Sequence, residues 1–209
     1  ELSARAEPPT CVLLGSAVPR FFSGGRDTEE ARSTAPDDLA RRRQTVTRLY
    51  RLLFDLPMPV IAVIDGYALG AGMVIASLCD LRIASDEARF GLPEIAGGTV
   101  GGARHLLRVL PQGTVRHLAL TGEHLSAERA RELGFVEQVV PSASLWDQAD
   151  RLAASICGFD PSVTAKVKQV LNETEELPLW DGFAHELAAG TVGPRRQLSA
   201  HPGQVSPTE

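Results

Sequence analysis

The chain has 209 residues, 44% of them hydrophobic and 22% charged, with a formal net charge of -5. Such a chain can bury one sizeable globular core. It has no broad basic face to hold nucleic acid, and no apolar run long enough to cross a membrane.

The three cysteines do not form a metal-binding or disulfide pattern. Cys11 and Cys79 sit in apolar surroundings and read as buried thiols. Glu1 to Pro9 is polar and has no signal-peptide pattern, so a reducing, cytoplasmic setting is expected.

In chain order, Cys11-Val12-Leu13-Leu14 reads as a short buried strand. A Gly-bearing loop, Phe21 to Asp27, follows it, and Thr28 to Ala35 is polar and expected to be mobile. A helix opens at Pro36, with Asp37 and Asp38 suited to the positive end of its dipole. Leu39, Val46, Leu49, Leu53 and Leu56 fall on one face of it, and Pro57 and Pro59 end it. Val60 to Ile64 is a continuous β-favouring run, predicting a strand buried on both faces. After the Asp65-Gly66 turn, Ala68 to Gly72 is a small, Gly-rich loop that leads into a buried helix through Leu78.

Leu81 to Ala84 is the next strand, completing a βαβ-like order. Short helices are expected over Arg104–Val109 and Val115–Leu120. Another runs from the Ser126 cap to Gly134, followed by a strand over Phe135–Val140. Three further helices are predicted over Ser144–Ile156, from Asp160-Pro161 to Leu171, and from Pro178 to about Ala189. The chain therefore divides into a core over 1–140, a helical region over 141–192, and an aperiodic tail over 193–209 expected to be disordered.

Two features carry chemistry. Ser23-Gly24-Gly25 and Gly70-Ala71-Gly72 each follow a predicted strand, and missing side chains let a ligand approach the backbone. Two N–H groups converging on a carbonyl oxygen would form an oxyanion hole, and the second loop also opens a helix. Ordinary tight turns are the competing reading. The second feature is Glu94, a lone carboxylate in Phe90-Gly91-Leu92-Pro93-Glu94-Ile95. Partial desolvation there would raise its pKa toward a range useful for proton transfer, whereas an exposed loop Glu would keep its ordinary value. A dinucleotide site is excluded, because Gly70-Ala71-Gly72 lacks the third glycine of that fingerprint.

Three blocks resemble the crotonase (enoyl-CoA hydratase/isomerase) superfamily. Phe22-Ser23-Gly24-Gly25-Arg26-Asp27 is similar to its first signature, Pro59 through Gly72 to its second, and Phe90 through Glu94 to its third. Leu120-Thr121-Gly122-Glu123, Ala127, Ala130 and Gly134-Phe135-Val136 match the segment that follows. The resemblance runs from about Cys11 to Thr191. It implies an α/β spiral of ββα units closed by C-terminal helices, in trimers or hexamers, acting on an acyl-CoA. No metal or redox cofactor is implied, since CoA arrives as part of the substrate.

Carried over by position, the Gly24 and Ala71 N–H groups form the oxyanion hole and Glu94 is the catalytic acid/base. Ser23, Gly25, Arg26, Asp27, Gly70, Gly72, Val74 and His105 become substrate-binding residues. Arg26 would serve CoA phosphates or simply be solvated. His105, after a compact turn from Gly98 to Arg104, would reach the pocket or simply pack.

The sequence departs from the pattern at one catalytic position. Hydratases of the family place two glutamates around one water, and the first of them is Val74 here. Valine cannot hold water, so double-bond isomerisation or a hydrolytic ring opening fits better. A non-catalytic, CoA-binding relative is the contrasting reading. The family's strand pair before Cys11 and its basic last helix after Thr191 have no counterpart, so an exposed sheet edge and weakened trimer formation are expected.

Overall fold

The computed structural model describes residues 9–27 and 35–190. The expected mobile stretch, apart from Ala35, and the expected tail lie outside them. Among the described residues, eight strands form two four-stranded sheets. The first contains β1 (Val12–Leu14), β3 (Val60–Ile64), β5 (Leu81–Ser85) and β8 (Gln138–Val140), in that order and all parallel. The second contains β2 (Phe21–Ser23), β4 (Tyr67–Leu69), β6 (Arg89–Gly91) and β7 (His124–Ser126). Only its last pair, β6 with β7, is antiparallel.

Each turn of the chain gives one strand to the first sheet and the next to the second. A helix follows in the first two complete turns: α1 (Pro36–Phe54) after β2 and α2 (Ala71–Leu78) after β4. Beyond β6 come α3 (Ala103–Leu106), α4 (Gln112–Thr121) and α5 (Ala127–Glu132), the last of these between β7 and β8. The helices α6 (Leu145–Cys157), α7 (Pro161–Thr174) and α8 (Leu179–Ala189) close the described chain. This is the α/β spiral that the resemblance implies. Among the described residues, no helix is long and apolar enough to cross a membrane, and no cluster of His, Cys, Asp and Glu could hold a metal.

The strand β3 explains the centre of the molecule. All five of its residues are buried, as a β-branched run between two layers requires. Burying each of its Val and Ile side chains is worth about 1.5–3 kcal/mol. Ile61 and Val63 pack toward α6, while Val60, Ala62 and Ile64 join the larger cluster with Met73, Val74 and Phe90. Alternation along one strand thus feeds two cores.

Two buried cations tie the layers together. The Arg82 guanidinium donates to the carbonyls of Cys79 (2.8 Å) and Phe135, to the Glu137 carboxylate (2.9 Å), and lies 5.4 Å from the Phe135 ring centroid. Lys168 on α7 donates to Asp80 (2.8 Å) and to the Met58 carbonyl (3.2 Å). The same Asp80 oxygen accepts from the Val60 N–H at 2.7 Å. The carboxylate therefore joins α7 to the start of β3.

Several expectations change. Phe21–Ser23 and Tyr67–Leu69 are strands rather than loop, and β6 and β7 have no counterpart in the sequence reading. Three-residue strands are too short to show periodicity, and pairing with neighbours creates them. The strand expected over Phe135–Val140 is confined to Gln138–Val140, because Phe135 N–H bonds back to the Ala130 carbonyl and completes the turn after α5. The expected Arg104–Val109 helix is the shorter α3. On α1, Leu53 is buried, whereas Val46 and Leu49 are exposed despite sharing its apolar face. The cysteine reading also needs correction at Cys11, which is only half-buried. Cys79 is buried, and burial pushes its thiol up to about 12.

The helical end leaves apolar surface in solvent. Leu171, Leu179, Trp180 and Leu187 on the α7–α8 hairpin are all exposed.

Candidate functional site

Parallel pairing of β2 with β4 aligns Ser23 with Ala68, so the loops that leave the two strands emerge side by side. They approach more closely than any side chain would permit. A Cβ at Gly72 would lie 2.4 Å from the Ser23 carbonyl oxygen, and one at Gly25 would lie 2.8 Å from the Leu69 oxygen. Glycine at these positions therefore serves backbone contact. Gly72→Ala is expected to cost about 1–3 kcal/mol through overpacking, measured as a shift in the denaturation midpoint. A variant as stable as wild type would contradict this close approach.

Ala71 is the first residue of α2, so its N–H has no partner within the helix. Gly70, at φ +54°, makes the sharp entry, and its own N–H is held by the Gly91 carbonyl at 2.9 Å. Gly24 faces open space, since a Cβ there would meet only Phe21, at 4.0 Å. Ser23 accepts the Gly25 N–H on its hydroxyl at 3.2 Å, which sets the first loop. Arg26 and Asp27 follow and are exposed.

Glu94 sits in the 3-10 turn Pro93–Gly97, directly after β6. The 93–97 turn is fastened by Thr99, whose N–H donates to the Glu94 carbonyl at 3.0 Å. The Glu94 carboxylate lies against the second glycine loop. A Cβ at Gly70 would be 2.9 Å from Oε1, and one at Gly102 would be 3.8 Å from it. The buried Oε2 has no hydrogen-bond partner among the described residues.

Burial raises the Glu94 pKa, partly opposed by a backbone hydrogen bond and by the positive charge of Arg26. If Glu94 acts as a base, the acid limb of kcat/KM should lie above the ordinary carboxylate range. Arg26→Gln should move it higher still, because the opposing cation is gone. A pH–rate profile checks both, and a limb that Arg26→Gln leaves in place would sever the link between these residues.

Val74, on α2, is fully buried. Its Cγ2 would be 2.9 Å from a Cβ at Gly102, whose φ is +78°. The wall beside the carboxylate is therefore apolar and tightly closed. Three residues after Gly102, His105 turns its ring onto Tyr50 of α1, edge to face, with centroids 5.1 Å apart. The buried Nδ1 of His105 has no well-formed hydrogen bond among the described residues. Burial first, then Arg108 and Arg104, lowers the His105 pKa and favours the neutral imidazole.

The structure thus brings Ser23, Gly24, Gly25, Gly70, Ala71, Gly72, Val74 and Glu94 to one place, with His105 beside Gly102. The sequence reading missed Tyr50. Its spacing from Val46 and Leu53 put a hydroxyl-tipped ring on the apolar stripe of α1, and that was the available signal.

Comparisons with known proteins point the same way. The family model described as enoyl-CoA hydratase/isomerase matches residues 4–190. The 2,3-dehydroadipyl-CoA hydratase of Escherichia coli is 37% identical over 180 residues, spanning 84% of this chain and 69% of that protein. A (7aS)-7a-methyl-1,5-dioxo-2,3,5,6,7,7a-hexahydro-1H-indene-carboxyl-CoA hydrolase of Rhodococcus jostii is 33% identical, over 88% of this chain and 72% of its own. The crystal structure of an enoyl-CoA hydratase from Bacillus anthracis superposes with a TM-score of 0.85 at 29% identity, covering 90% of this chain and 74% of that one. The chain belongs to the enoyl-CoA hydratase/isomerase family, within the crotonase superfamily.

Proposed function

We propose that this protein acts on an acyl-CoA thioester through a single acid/base carboxylate, as a double-bond isomerase in preference to a hydratase. The observation that carries the reading is the seat of Glu94, half-buried and pressed against the glycine loop that opens α2. The thioester oxygen would lie between the Gly24 and Ala71 N–H groups. Negative charge developing on that oxygen is stabilised there, aided by the α2 dipole.

The proton balance is simple. Glu94 takes a proton from C2 of a 3-enoyl-CoA, the electrons move onto the thioester oxygen as a dienolate, and the same carboxyl returns the proton to C4. The product is a 2-enoyl-CoA, with no net change in protons and no water consumed. Hydration would need a water held and oriented opposite Glu94, and the buried Val74 offers it no hydrogen bond. Ser23, Gly25, Gly70 and Gly72 shape the backbone wall of the site, with Arg26 and Asp27 at its exposed rim. No metal or redox cofactor enters this scheme.

Purified protein offered 3-enoyl-CoA and 2-enoyl-CoA tests the assignment. Interconversion of the double-bond isomers without 3-hydroxyacyl-CoA is expected. Rapid hydration of the 2-enoyl compound would overturn the preference for isomerase. His105, three residues after Gly102, favours a second reading, a ring-opening hydrolase; the Rhodococcus relative carries the name of a carboxyl-CoA hydrolase. Release of a new carboxylate from a cyclic β-diketone thioester would establish it.

Self-association belongs to the same proposal. A homotrimer would cover the exposed apolar side chains of the α7–α8 hairpin. Sedimentation equilibrium should then show a mass three or six times that of the chain, and a monomer at micromolar concentration would refute it.

A further inference from the structure

Two of the cysteines lie far apart in the sequence and meet across one layer of the fold. Cys11 leads into β1, an edge strand of the first sheet, and its side chain faces α6. Strand alternation sets that direction. Cys11 and Leu13 join the cluster that holds Ile61, Val63 and the α6 residues Leu145 and Ala149, while Val12 and Leu14 join the cluster on the opposite side.

The helix α6 packs across β1 and runs back along it. Just before α6, the Ser142 hydroxyl donates to Asp65 at 2.8 Å, so the chain enters the helix at the C-terminal end of the parallel sheet. Trp146, in the first turn of α6, covers Gly15 just past the end of β1. A Cβ on Gly15 would be 2.6 Å from the indole. Trp146, Asp150, Ala153 and Cys157 follow one another at the spacing of a single helix flank. The flank that lies on β1 at Trp146 therefore presents Cys157 three turns later. The spans match as well. From Trp146 to Cys157 the helix rises about 16 Å, and from Gly15 back to Cys11 the strand extends about 13 Å.

The electrostatics agree with this placement. Burial pushes the Cys11 thiol up to about 11, and Cys157 is the next largest influence on it. Asp80 adds to the rise, while the Val12 carbonyl and Lys168 oppose it. Cys157 itself is exposed at the helix end, open to a reagent. Cys79 is buried, and its thiol donates to the Ile75 carbonyl at 3.3 Å, so it takes no part.

We infer that Cys11 and Cys157 are a reversible disulfide pair, which oxidation closes to staple α6 to the edge strand of the first sheet. The oxidant is a low-molecular-weight disulfide such as glutathione disulfide. The Cys157 thiolate attacks one of its sulfurs, forming a mixed disulfide and releasing one glutathione thiolate. The Cys11 thiolate then attacks the Cys157 sulfur and expels the second. The two protons and two electrons that the protein loses appear as two glutathione thiols. The closed loop would span most of the fold, and a long loop constrains the unfolded chain strongly.

The test starts from fully reduced, full-length protein in buffers of rising glutathione disulfide content. Intact mass, free thiols counted in denaturant, and peptide mapping are read on the same samples. The expected product is a single chain lighter by two hydrogens, with Cys79 free and one peptide joining Cys11 to Cys157. Its denaturation midpoint should rise, and dithiothreitol should reverse the change. Cys11→Ser should stop at the glutathione adduct on Cys157, Cys157→Ser should form no internal bond, and Cys79→Ala should close as wild type does. Because closure waits on the Cys11 thiolate, its rate should climb about tenfold for each pH unit through neutrality.

A glutathione adduct that persists in wild type without closing would overturn the inference. A bond between Cys157 of two chains, or one that uses Cys79, would overturn it too. So would an internal bond that lowers the denaturation midpoint, since the native positions of the two cysteines would then not suit it.

Discussion

Glu94→Gln is expected to lower kcat by about 10²–10⁴-fold, the usual contribution of a positioned acid/base, while acyl-CoA binding persists. The amide keeps the volume and shape of the carboxyl, so the close contacts with Gly70 and Gly102 are preserved. It removes only the ability to take and return a proton. The loss should appear in kcat and in kcat/KM to a similar degree, because the interaction is made in the transition state.

Stability should move in the opposite sense. The folded pKa of Glu94 is raised, chiefly by burial. For a raised carboxyl, the stabilising contribution is complete below the unfolded pKa and is lost as pH rises through the folded pKa. At neutral pH the charged wild-type side chain therefore disfavours the fold, and Glu94→Gln should be at least as stable there. Unchanged turnover in the variant would move the acid/base role elsewhere. A large fall in its stability would mean that Glu94 holds the loops together instead.

Arg82→Ala should cost more stability than Gly72→Ala, about 3–5 kcal/mol, because it strands two backbone carbonyls at about 1–3 kcal/mol each and empties the space of a buried side chain. The guanidinium is nearly inaccessible and links three parts of the chain. It satisfies the Cys79 carbonyl at the end of α2, the Phe135 carbonyl after α5, and Glu137 at the entrance to β8. Truncation strands those carbonyls and opens a cavity beside the Phe135 ring. For a chain of this size, each kcal/mol shifts Tm by roughly 2–4 °C, so a fall of about 6–20 °C should be visible in a thermal scan. A shift of only a degree or two would mean that water or a neighbour replaces the guanidinium without penalty.

This effect reaches the site indirectly. The helix that Arg82 fastens, α2, carries Ala71 at its first position and Val74 one turn later. Loosening its C-terminal end should raise KM for acyl-CoA at temperatures where the variant is still folded.

Much of the fold and of the candidate site is legible along the chain, wherever the cause is local. The β3 run from Val60 to Ile64 could be read because five consecutive apolar, mostly β-branched residues leave few alternatives. Helix ends were readable where a capping side chain or a proline acts within one turn, as with Ser126, Asp160 and Pro36. The two glycine loops and the apolar surroundings of Glu94 were visible as patterns of missing and flanking side chains.

The tertiary structure decided what depends on distant residues. The strands of the second sheet exist because register places Tyr67 beside Phe21 and Arg89, and their own sequences carry no strand signal. The exposure of Val46 and Leu49 follows from what α1 packs against, which its amphipathic spacing cannot state. The burial of Arg82 arises from partners 53 and 55 positions away. The influence of Arg26 on Glu94, and the meeting of Tyr50 with His105, likewise require loops and helices to converge across the chain. By itself the sequence determined the elements and the chemistry available to them. Packing decided which of those groups lost water, found partners or were left with an unpaired atom, because desolvation and hydrogen-bond satisfaction are properties of the assembled interior.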